Sequence, residues 1–318
     1  MWCSALVTWG LAAVAGMGLA VYAPDRLPEV GSFAAPLTQP AATGATRATT
    51  GGAGVPTKGG TGAAPTSPAT TTAIDASPGA RQRAADRAVY YAQAQGWRSG
   101  IAIKDLVTGE VTVAGDAEGY FRTESTVKLF IAARLLAEGR LTGATEPVAR
   151  RMLTLSDDAA ASSLYASVGG DGLIAWIGAH YRLSDPGTPP VRGAGQWGST
   201  QVTPLAMVTF LAAAYHEPRV GTWLIDTMIQ MEPNALDGTS QMFGLRAADS
   251  MAVVKQGWGG DSDPSDVVGT PSVGYVDRGR YAVAIYTVRL PESPIAEAQG
   301  VVTAQAKLLL PQGRMPRL

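Results

Sequence analysis

The chain has 318 residues and a formal charge of −1, and only 16% of its residues are charged. This balance argues against a basic nucleic-acid-binding surface and against an acidic solvating tail. A single cysteine, Cys3, excludes an internal disulfide and a thiolate metal site, and the two histidines, His180 and His216, lie in no recognisable catalytic or metal motif. We therefore expect no metal, no cofactor and no nucleic-acid partner.

The N-terminal quarter of the chain differs in composition from the rest. Residues 1–24 contain no charged side chain, which predicts a signal peptide or a membrane anchor. An anchor is favoured, because the apolar run 5–23 is long enough to cross a bilayer and no basic residue precedes it. Residues 25–79 are predicted to be a disordered linker, since 37 of the 44 positions from 36 to 79 are Ala, Thr, Pro, Gly or Ser.

Residues 80–318 have the composition and periodicity of a single folded domain. An amphipathic helix is predicted over 80–95 and paired strands over 100–106 and 110–115, followed by a helical region over about 125–230. Three strands over 250–258, 271–277 and 281–290 and a helix over 293–309 complete the chain. This order predicts an α+β fold, in which an antiparallel sheet formed by both chain ends carries the terminal helices and the middle forms an all-helical lobe. A cleft between sheet and lobe is the expected place for a site.

One local pattern has the composition of a nucleophilic site. Ser125 and Lys128 stand three residues apart at the start of a strongly apolar predicted helix, so their side chains share one face. An amine beside a hydroxyl can accept its proton, and free N–H groups at a helix start can stabilise a developing oxyanion. Ser125 is therefore the candidate nucleophile and Lys128 its proton acceptor.

Two further motifs follow in the order of a known enzyme family. The segments Ser156-Asp157-Asp158 and Lys255-Gln256-Gly257, together with Ser125-x-x-Lys128, resemble the S-x-x-K, S-D-N and K-T-G signatures of class A β-lactamases and related penicillin-binding proteins. The resemblance extends over about 85–310. Only five lysines occur in the whole chain, and two of them occupy the two motif positions that require lysine.

The resemblance implies a role for each motif residue. Ser125 would be acylated, Lys128 would accept its proton, and Ser156 would pass the proton to the leaving nitrogen. Lys255 would supply positive potential for Ser156 and for the substrate, and Trp258 would join Ser125 in an oxyanion hole through the backbone N–H groups. The substrate would also be contacted by four further residues, namely Asp158, Gln256, Gly257 and Trp258.

Four departures from the family pattern bear on activity. Asp158 replaces an asparagine, and its carboxylate would favour the ammonium form of Lys128. No glutamate occurs between Glu146 and Glu217, so the carboxylate that activates the deacylating water in class A β-lactamases is missing, with Asp185 the only acidic residue of the loop that could replace it. The third departure is Gln256, which stands where the K-T-G motif has Thr or Ser. The fourth is the spacing of only 31 positions between Ser125 and Ser156, the first residue of the second motif.

The sequence thus predicts a serine acyl-enzyme hydrolase that acts on β-lactams or on D-Ala-D-Ala-like peptides of the cell wall, with slow deacylation. The alternative is a catalytically silent binding module of the cell envelope. Under that alternative, Ser156 and the two aspartates that follow it would simply begin a helix. Either protein is expected to be an extracytoplasmic, membrane-anchored or secreted monomer with a β-lactam or peptidoglycan-like ligand.

Overall fold

The computed structural model describes residues 75–260, 268–289 and 294–317. The predictions made for residues 1–24 and for almost all of the linker 25–79 lie outside these residues, and they stay predictions. Among the described residues, no helix is both long and apolar enough to cross a membrane.

The described chain alternates between sheet strands at its two ends and helices in its middle. The helices are α1 (Ala80–Gln93), α2 (Lys128–Ala137), α3 (Thr145–Thr154), α4 (Asp158–Ser167), α5 (Leu173–Tyr181), α6 (Pro204–His216), α7 (Pro218–Met228), α8 (Gly244–Ala248) and α9 (Ile295–Leu309). The strands are β1 (Arg98–Asp105), β2 (Val111–Gly115), β3 (Phe121–Arg122), β4 (Gln201–Val202), β5 (Val253–Gln256), β6 (Val268–Gly269), β7 (Ser272–Val276) and β8 (Tyr281–Arg289).

The main sheet joins the two ends of the folded chain. Its strands run in the order β2-β1-β8-β7-β5, with β6 paired to β8, and every pair is antiparallel. The central contact is between β1 and β8, where Ile101 pairs with Ile285 and Ala102 with Ala284. Strand β5 therefore lies at one edge of the sheet. Its outer side pairs with no other strand of this sheet and is available to the helical lobe.

Successive side chains of the central strands point to opposite faces of the sheet, so they belong to two separate hydrophobic cores. Ile101 and Ile103 of β1 face α1 and α9, where the small buried residues Ala84, Ala85 and Ala88 allow α1 to pack closely on the sheet. Ala102 faces the other side, where it belongs to the larger core formed with α2 and α6. The terminal helices cover one face, and the helical lobe covers the other.

The α+β architecture predicted from the sequence is confirmed, with several local differences. Strands β3 and β4 form a separate two-stranded sheet, with Phe121 opposite Val202. Strand β3 precedes the region predicted to be helical, and β4 lies inside it. The short strand β6 and the five-residue helix α8 were also not predicted. Elements of two to five residues carry too little periodicity to be recognised, because tertiary pairing rather than local pattern determines them.

Candidate active site

Ser125 and Lys128 meet at the start of α2. A 3-10 turn, Glu124–Val127, leads directly into the helix, and it holds Ser125 Oγ 2.9 Å from Lys128 Nζ. Both side chains are buried, with Lys128 fully so. The apolar residues that follow, Leu129, Phe130 and Ile131, anchor α2 in the helical core and fix the position of this pair. The spacing of three residues thus gives the adjacency expected from the sequence.

Ser156 brings a second hydroxyl to the same amine. It lies between α3 and α4 with a left-handed backbone (φ 53°), which is uncommon for a residue other than glycine. Lys128 Nζ lies 2.7 Å from the Ser156 carbonyl oxygen and 3.1 Å from its Oγ. Asp157 begins α4 by accepting the N–H of Ala160 at 3.0 Å, so the capping role of this segment coexists with the contact.

Lys255 approaches Ser156 from the edge strand of the sheet. Its Nζ lies 3.0 Å from Ser156 Oγ and donates to the Gln256 carbonyl at 2.9 Å. Ser125, Lys128, Ser156 and Lys255 therefore form one continuous chain of hydrogen-bonded groups that joins helix, loop and strand. The first and last of these residues, Ser125 and Lys255, are 130 positions apart in the sequence.

Burial dominates the charge state of both lysines. Burial lowers the pKa of Lys128, while the carboxylate of Asp158 acts in the opposite direction. The pKa of Lys255 lies well below its usual range because of burial and of the nearby Lys128 charge. Fully buried lysines are rare in proteins, and amines with lowered pKa are the form in which lysine serves as a base. The pair is thus suited to proton transfer.

Asp158 forms an ion pair with Lys128 across 2.6 Å. Its side chain is 73% exposed, so water screens the interaction, whereas the lysine end is fully buried. The carboxylate acts on the lysine in the direction expected from the sequence, since it favours the ammonium form. Because burial has the larger effect, the pKa of Lys128 still lies below its ordinary value.

The three residues after Lys255 have different surroundings. Gly257 lies against the start of α2, where an added Cβ would be 3.0 Å from the Ser125 backbone nitrogen and 2.9 Å from Pro271 Cγ. Trp258 is partly exposed and lines the pocket. Gln256 is fully buried, and its amide donates to the carbonyls of Gln241 and Phe243. The expected substrate contact of the Gln256 side chain thus finds no support in this geometry.

A pocket of about 400 Å³ opens above Ser125. Within the described residues it is lined by Glu124, Ser125, Asp158, Ser162, Gly195, Gln196, Trp197, Gly198, Asp237 and Trp258. The loop that precedes β4 thus contributes glycines, glutamine and tryptophan to the wall but no carboxylate.

Trp197 occupies the loop side of this pocket. Its ring lies 4.9 Å from Lys128 Nζ, and its indole N–H donates to Ser162 Oγ at 3.1 Å. Asp185, the acidic residue considered as a replacement for the missing glutamate, lies elsewhere. It accepts the Tyr120 hydroxyl at 3.0 Å and lines a separate cavity with Leu183 and Thr209. Asp185 therefore does not take the place of a deacylating base in this arrangement.

Sequence reasoning missed two carboxylates that line the pocket. Asp237 follows α7 in a turn without a recognisable motif, and its Oδ2 accepts the Trp258 indole N–H at 3.1 Å. Hydrogen bonds from Thr239 and Trp258 keep the pKa of Asp237 below its usual value although burial raises it. Glu124 pairs with Arg122 at 3.2 Å and directs its carboxylate towards Gly259, where a Cβ would collide with it. Its only sequence signal is its position beside Ser125.

Comparison with known sequences finds distant relatives but no family model. No model of a known protein family matches the sequence. Two curated relatives, from Mycobacterium tuberculosis and Mycobacterium bovis, bear the name "Putative lipoprotein LppW"; each is 27% identical over 238 residues, which cover 70% of this chain and 73% of the relative.

Solved structures similar to this chain include several β-lactamases. The enzyme from Chitinophaga pinensis matches with a TM-score of 0.57 and 15% identity, over 71% of this chain and 97% of its own. The enzyme from Streptosporangium roseum matches with a TM-score of 0.57 and 18% identity, over 72% of this chain and 97% of its own. A reconstructed class A ancestor gives a TM-score of 0.55 at 19% identity, over 72% of this chain and 99% of its own. At these identities the likeness shows a β-lactamase-like fold.

Proposed function

We propose that this protein is a serine hydrolase that forms an acyl-enzyme at Ser125 and releases it slowly. The substrates are the strained amide of a β-lactam or the D-Ala-D-Ala-like peptide bond of the cell wall. The observation that carries the proposal is the buried chain from Ser125 Oγ through Lys128 Nζ and Ser156 Oγ to Lys255 Nζ, with neighbouring distances of 2.9, 3.1 and 3.0 Å. Such a chain has the geometry required for moving a proton between nucleophile and leaving group.

The acylation step follows from this arrangement. The neutral amine of Lys128 accepts the proton of the Ser125 hydroxyl while Oγ forms a bond to the substrate carbonyl carbon. The resulting oxyanion lies near the backbone N–H groups of Ser125 and Trp258, which are the donors implied by the family resemblance. The proton then passes through Ser156 to the leaving nitrogen as the carbon–nitrogen bond breaks. Lys255 holds Ser156 in place and adds positive potential.

Slow deacylation follows from the composition of the loop wall. Release of the acyl group requires a water that is activated beside the ester. Gly195, Gln196, Trp197 and Gly198 supply no carboxylate from the loop side, and the indole of Trp197 lies over Lys128. A water that approaches the ester from the loop side therefore finds no carboxylate base there, in contrast to the arrangement in class A β-lactamases. We expect the ester at Ser125 to persist longer than one catalytic cycle of an efficient β-lactamase.

The name of the curated relatives supports a place in the cell envelope. They are named lipoproteins, which implies attachment to a membrane, and the apolar segment 1–24 of this chain is suited to export or anchoring. We propose an extracytoplasmic, membrane-anchored or secreted monomer, in which the linker 25–79 separates the folded part from the membrane. In that location peptidoglycan-like peptides are accessible to the pocket.

A labelling experiment tests the proposed chemistry. The purified full chain is incubated with a fluorescent penicillin and, in parallel, with the p-nitrophenyl ester of N-acetyl-D-alanine, a neutral activated acyl donor. Intact mass spectrometry should show one added acyl group in the wild type and none in Ser125→Ala. The matched control is Ser163→Ala, an exposed serine of α4 outside the pocket, which should label like the wild type.

The silent binding module remains a second candidate because of one observation. The Asp158 carboxylate lies 2.6 Å from Lys128 Nζ, and it stabilises the ammonium form, in which the lysine cannot accept a proton. If neither reagent labels the wild type, or if labelling persists in Ser125→Ala, the acyl-enzyme proposal is wrong. Absence of labelling combined with saturable binding of a cell-wall peptide would instead support the binding module.

A further inference from the structure

The two motif side chains of β5, those of Lys255 and Gln256, are buried and hydrogen-bonded within the protein. Lys255 is fully buried and directs its amine to Ser156 and to the Gln256 carbonyl. The Gln256 amide faces inwards and is used by the Gln241 and Phe243 carbonyls. Within the described residues, no lysine or arginine lines the pocket. A ligand carboxylate at this position would thus find no direct cationic partner.

One of the pocket's wall residues is itself a carboxylate. Asp237 lies on the pocket wall beside Trp258, and its Oδ2 accepts the indole N–H at 3.1 Å. Its Oδ1 accepts the Thr239 backbone N–H at 2.8 Å. Burial raises the pKa of Asp237, but the hydrogen bonds from Thr239 and Trp258 and the charge of Lys128 keep it below its usual value. Among the described residues no cation pairs with Asp237 at contact distance, and Lys128 acts on it only from further away.

A second carboxylate that lines the pocket is that of Asp158. One oxygen of Asp158 is used by Lys128 at 2.6 Å, while the side chain as a whole is 73% exposed towards solvent. Two partly exposed tryptophans, Trp197 and Trp258, supply aromatic surface to the same pocket. Carboxylates together with aromatic rings are the groups by which proteins hold ammonium and guanidinium ions.

We propose that, among the acyl donors of the proposed function, this pocket favours D-Ala-D-Ala-like peptides that carry a positively charged group, which binds at Asp237 and Trp258, over otherwise identical peptides that end in a free carboxylate there. The inference rests on the proposed function for the identity of the pocket as the acylation site. It concerns binding, however, and can be measured without the chemical step. The attraction acts between a ligand cation and a partly exposed carboxylate, so it should weaken as salt is added.

The test compares three ligands that differ only at one end. They are N-acetyl-D-alanyl-D-alanine, its neutral C-terminal amide, and its cationic aminoethylamide. Binding to full-chain Ser125→Ala, which cannot be acylated, is followed by the intrinsic fluorescence of the tryptophans. We expect the aminoethylamide to bind about fivefold more tightly than the neutral amide, and the acid to bind more weakly than either, as is typical of partly exposed charge pairs.

A second substitution assigns the preference to one residue. In Asp237→Asn, introduced into Ser125→Ala, the advantage of the aminoethylamide over the neutral amide should fall to about twofold or less. Asp226→Asn is the matched control, because it removes the same charge from an exposed position on α7 outside the pocket. Equal affinities for the three ligands, or tighter binding of the acid, would overturn the inference.

Labelling by the neutral activated ester separates this inference from the proposed function. Labelling of Ser125 without a preference for the cation would leave the acyl-enzyme intact and refute the inference. A preference that depends on Asp237, without any labelling, would refute the hydrolase and retain a cation-selective binding pocket. Neither labelling nor preference would overturn both.

Discussion

The substitution Asp158→Asn tests whether the carboxylate restrains Lys128. It removes one negative charge 2.6 Å from the buried amine and keeps the size of the side chain. Because the Asp158 side chain is 73% exposed, the appropriate dielectric is close to that of water. Two unit charges at this distance attract each other by about 1.6 kcal/mol in water, which corresponds to a change of about tenfold between the ammonium and amine forms.

The sign of the effect is fixed by the charge of the partner. The Asp158 carboxylate raises the pKa of Lys128, so its removal lowers that pKa and leaves more neutral amine at a given pH. We expect acylation by the neutral ester to increase by up to about tenfold at neutral pH. The acid limb of the pH–rate profile should move to lower pH. At a pH where the lysine is neutral in both proteins, the two rates should converge.

The assay is the rate of acyl-enzyme formation, measured by quenching and intact mass between pH 5 and pH 10. Asp226→Asn serves as the control for loss of one negative charge. A profile identical to that of the wild type would show that Asp158 does not restrain Lys128. A rate that falls at every pH would show that the carboxylate has another function in the site, and the restraint argued from the ion pair would be wrong.

Two further substitutions test the site and the fold. Gly257→Ala places a methyl group 3.0 Å from the Ser125 nitrogen and should reduce ester labelling at least tenfold with a destabilisation of about 1–3 kcal/mol; unchanged labelling would argue against an oxyanion hole there. Asp105→Asn, which removes the buried carboxylate paired with Arg280 at 2.9 Å and Arg81 at 3.8 Å, should lower the free energy of unfolding at pH 7 by about 3–5 kcal/mol. Burial raises the pKa of Asp105, but hydrogen bonds and the Arg280 charge lower it below its usual value. The carboxylate therefore stabilises the fold fully above its unfolded pKa of about 3.9, and this stabilisation is lost as the pH falls through the folded pKa. A stability difference between wild type and Asp105→Asn in urea that persists unchanged at pH 2 would contradict this.

The sequence predicted those parts of the site that depend on local geometry. Ser125 and Lys128 are three residues apart at a helix start, so their contact follows from helical geometry alone. The contact of Ser156 with Lys255 spans 99 positions, and it was suggested only by resemblance, because strand register and loop conformation determine it. The inward direction of Gln256 depends on the carbonyls of Gln241 and Phe243. No pattern in the strand itself reveals those partners.

Asp237 shows why the electrostatic character of the pocket was not predictable. A single aspartate in a turn is an ordinary surface residue by sequence, and turns favour aspartate for reasons of local hydrogen bonding. Asp237 does make such a bond, to the Thr239 N–H, but the fold also places it against Trp258, 21 positions further along the chain. The sign of the charge on this part of the pocket wall therefore arises from tertiary structure, and the composition of the motif gives no indication of it.

The backbone on both sides of the reacting groups indicates how the site is held in place. Glu124 (φ 45°) and Ser156 (φ 53°) both have left-handed backbones without being glycine, an arrangement that costs about 1–2 kcal/mol for each residue. Each is retained by contacts from its own side chain or carbonyl: Glu124 through Arg122, and Ser156 through Lys128 and Lys255. Since the two lysines would gain hydration by leaving the interior, their hydrogen bonds to Ser156 offset both local strain and desolvation. The same bonds thus fix Ser156 and hold two buried amines of lowered pKa against it, one of which, that of Lys128, also contacts Ser125.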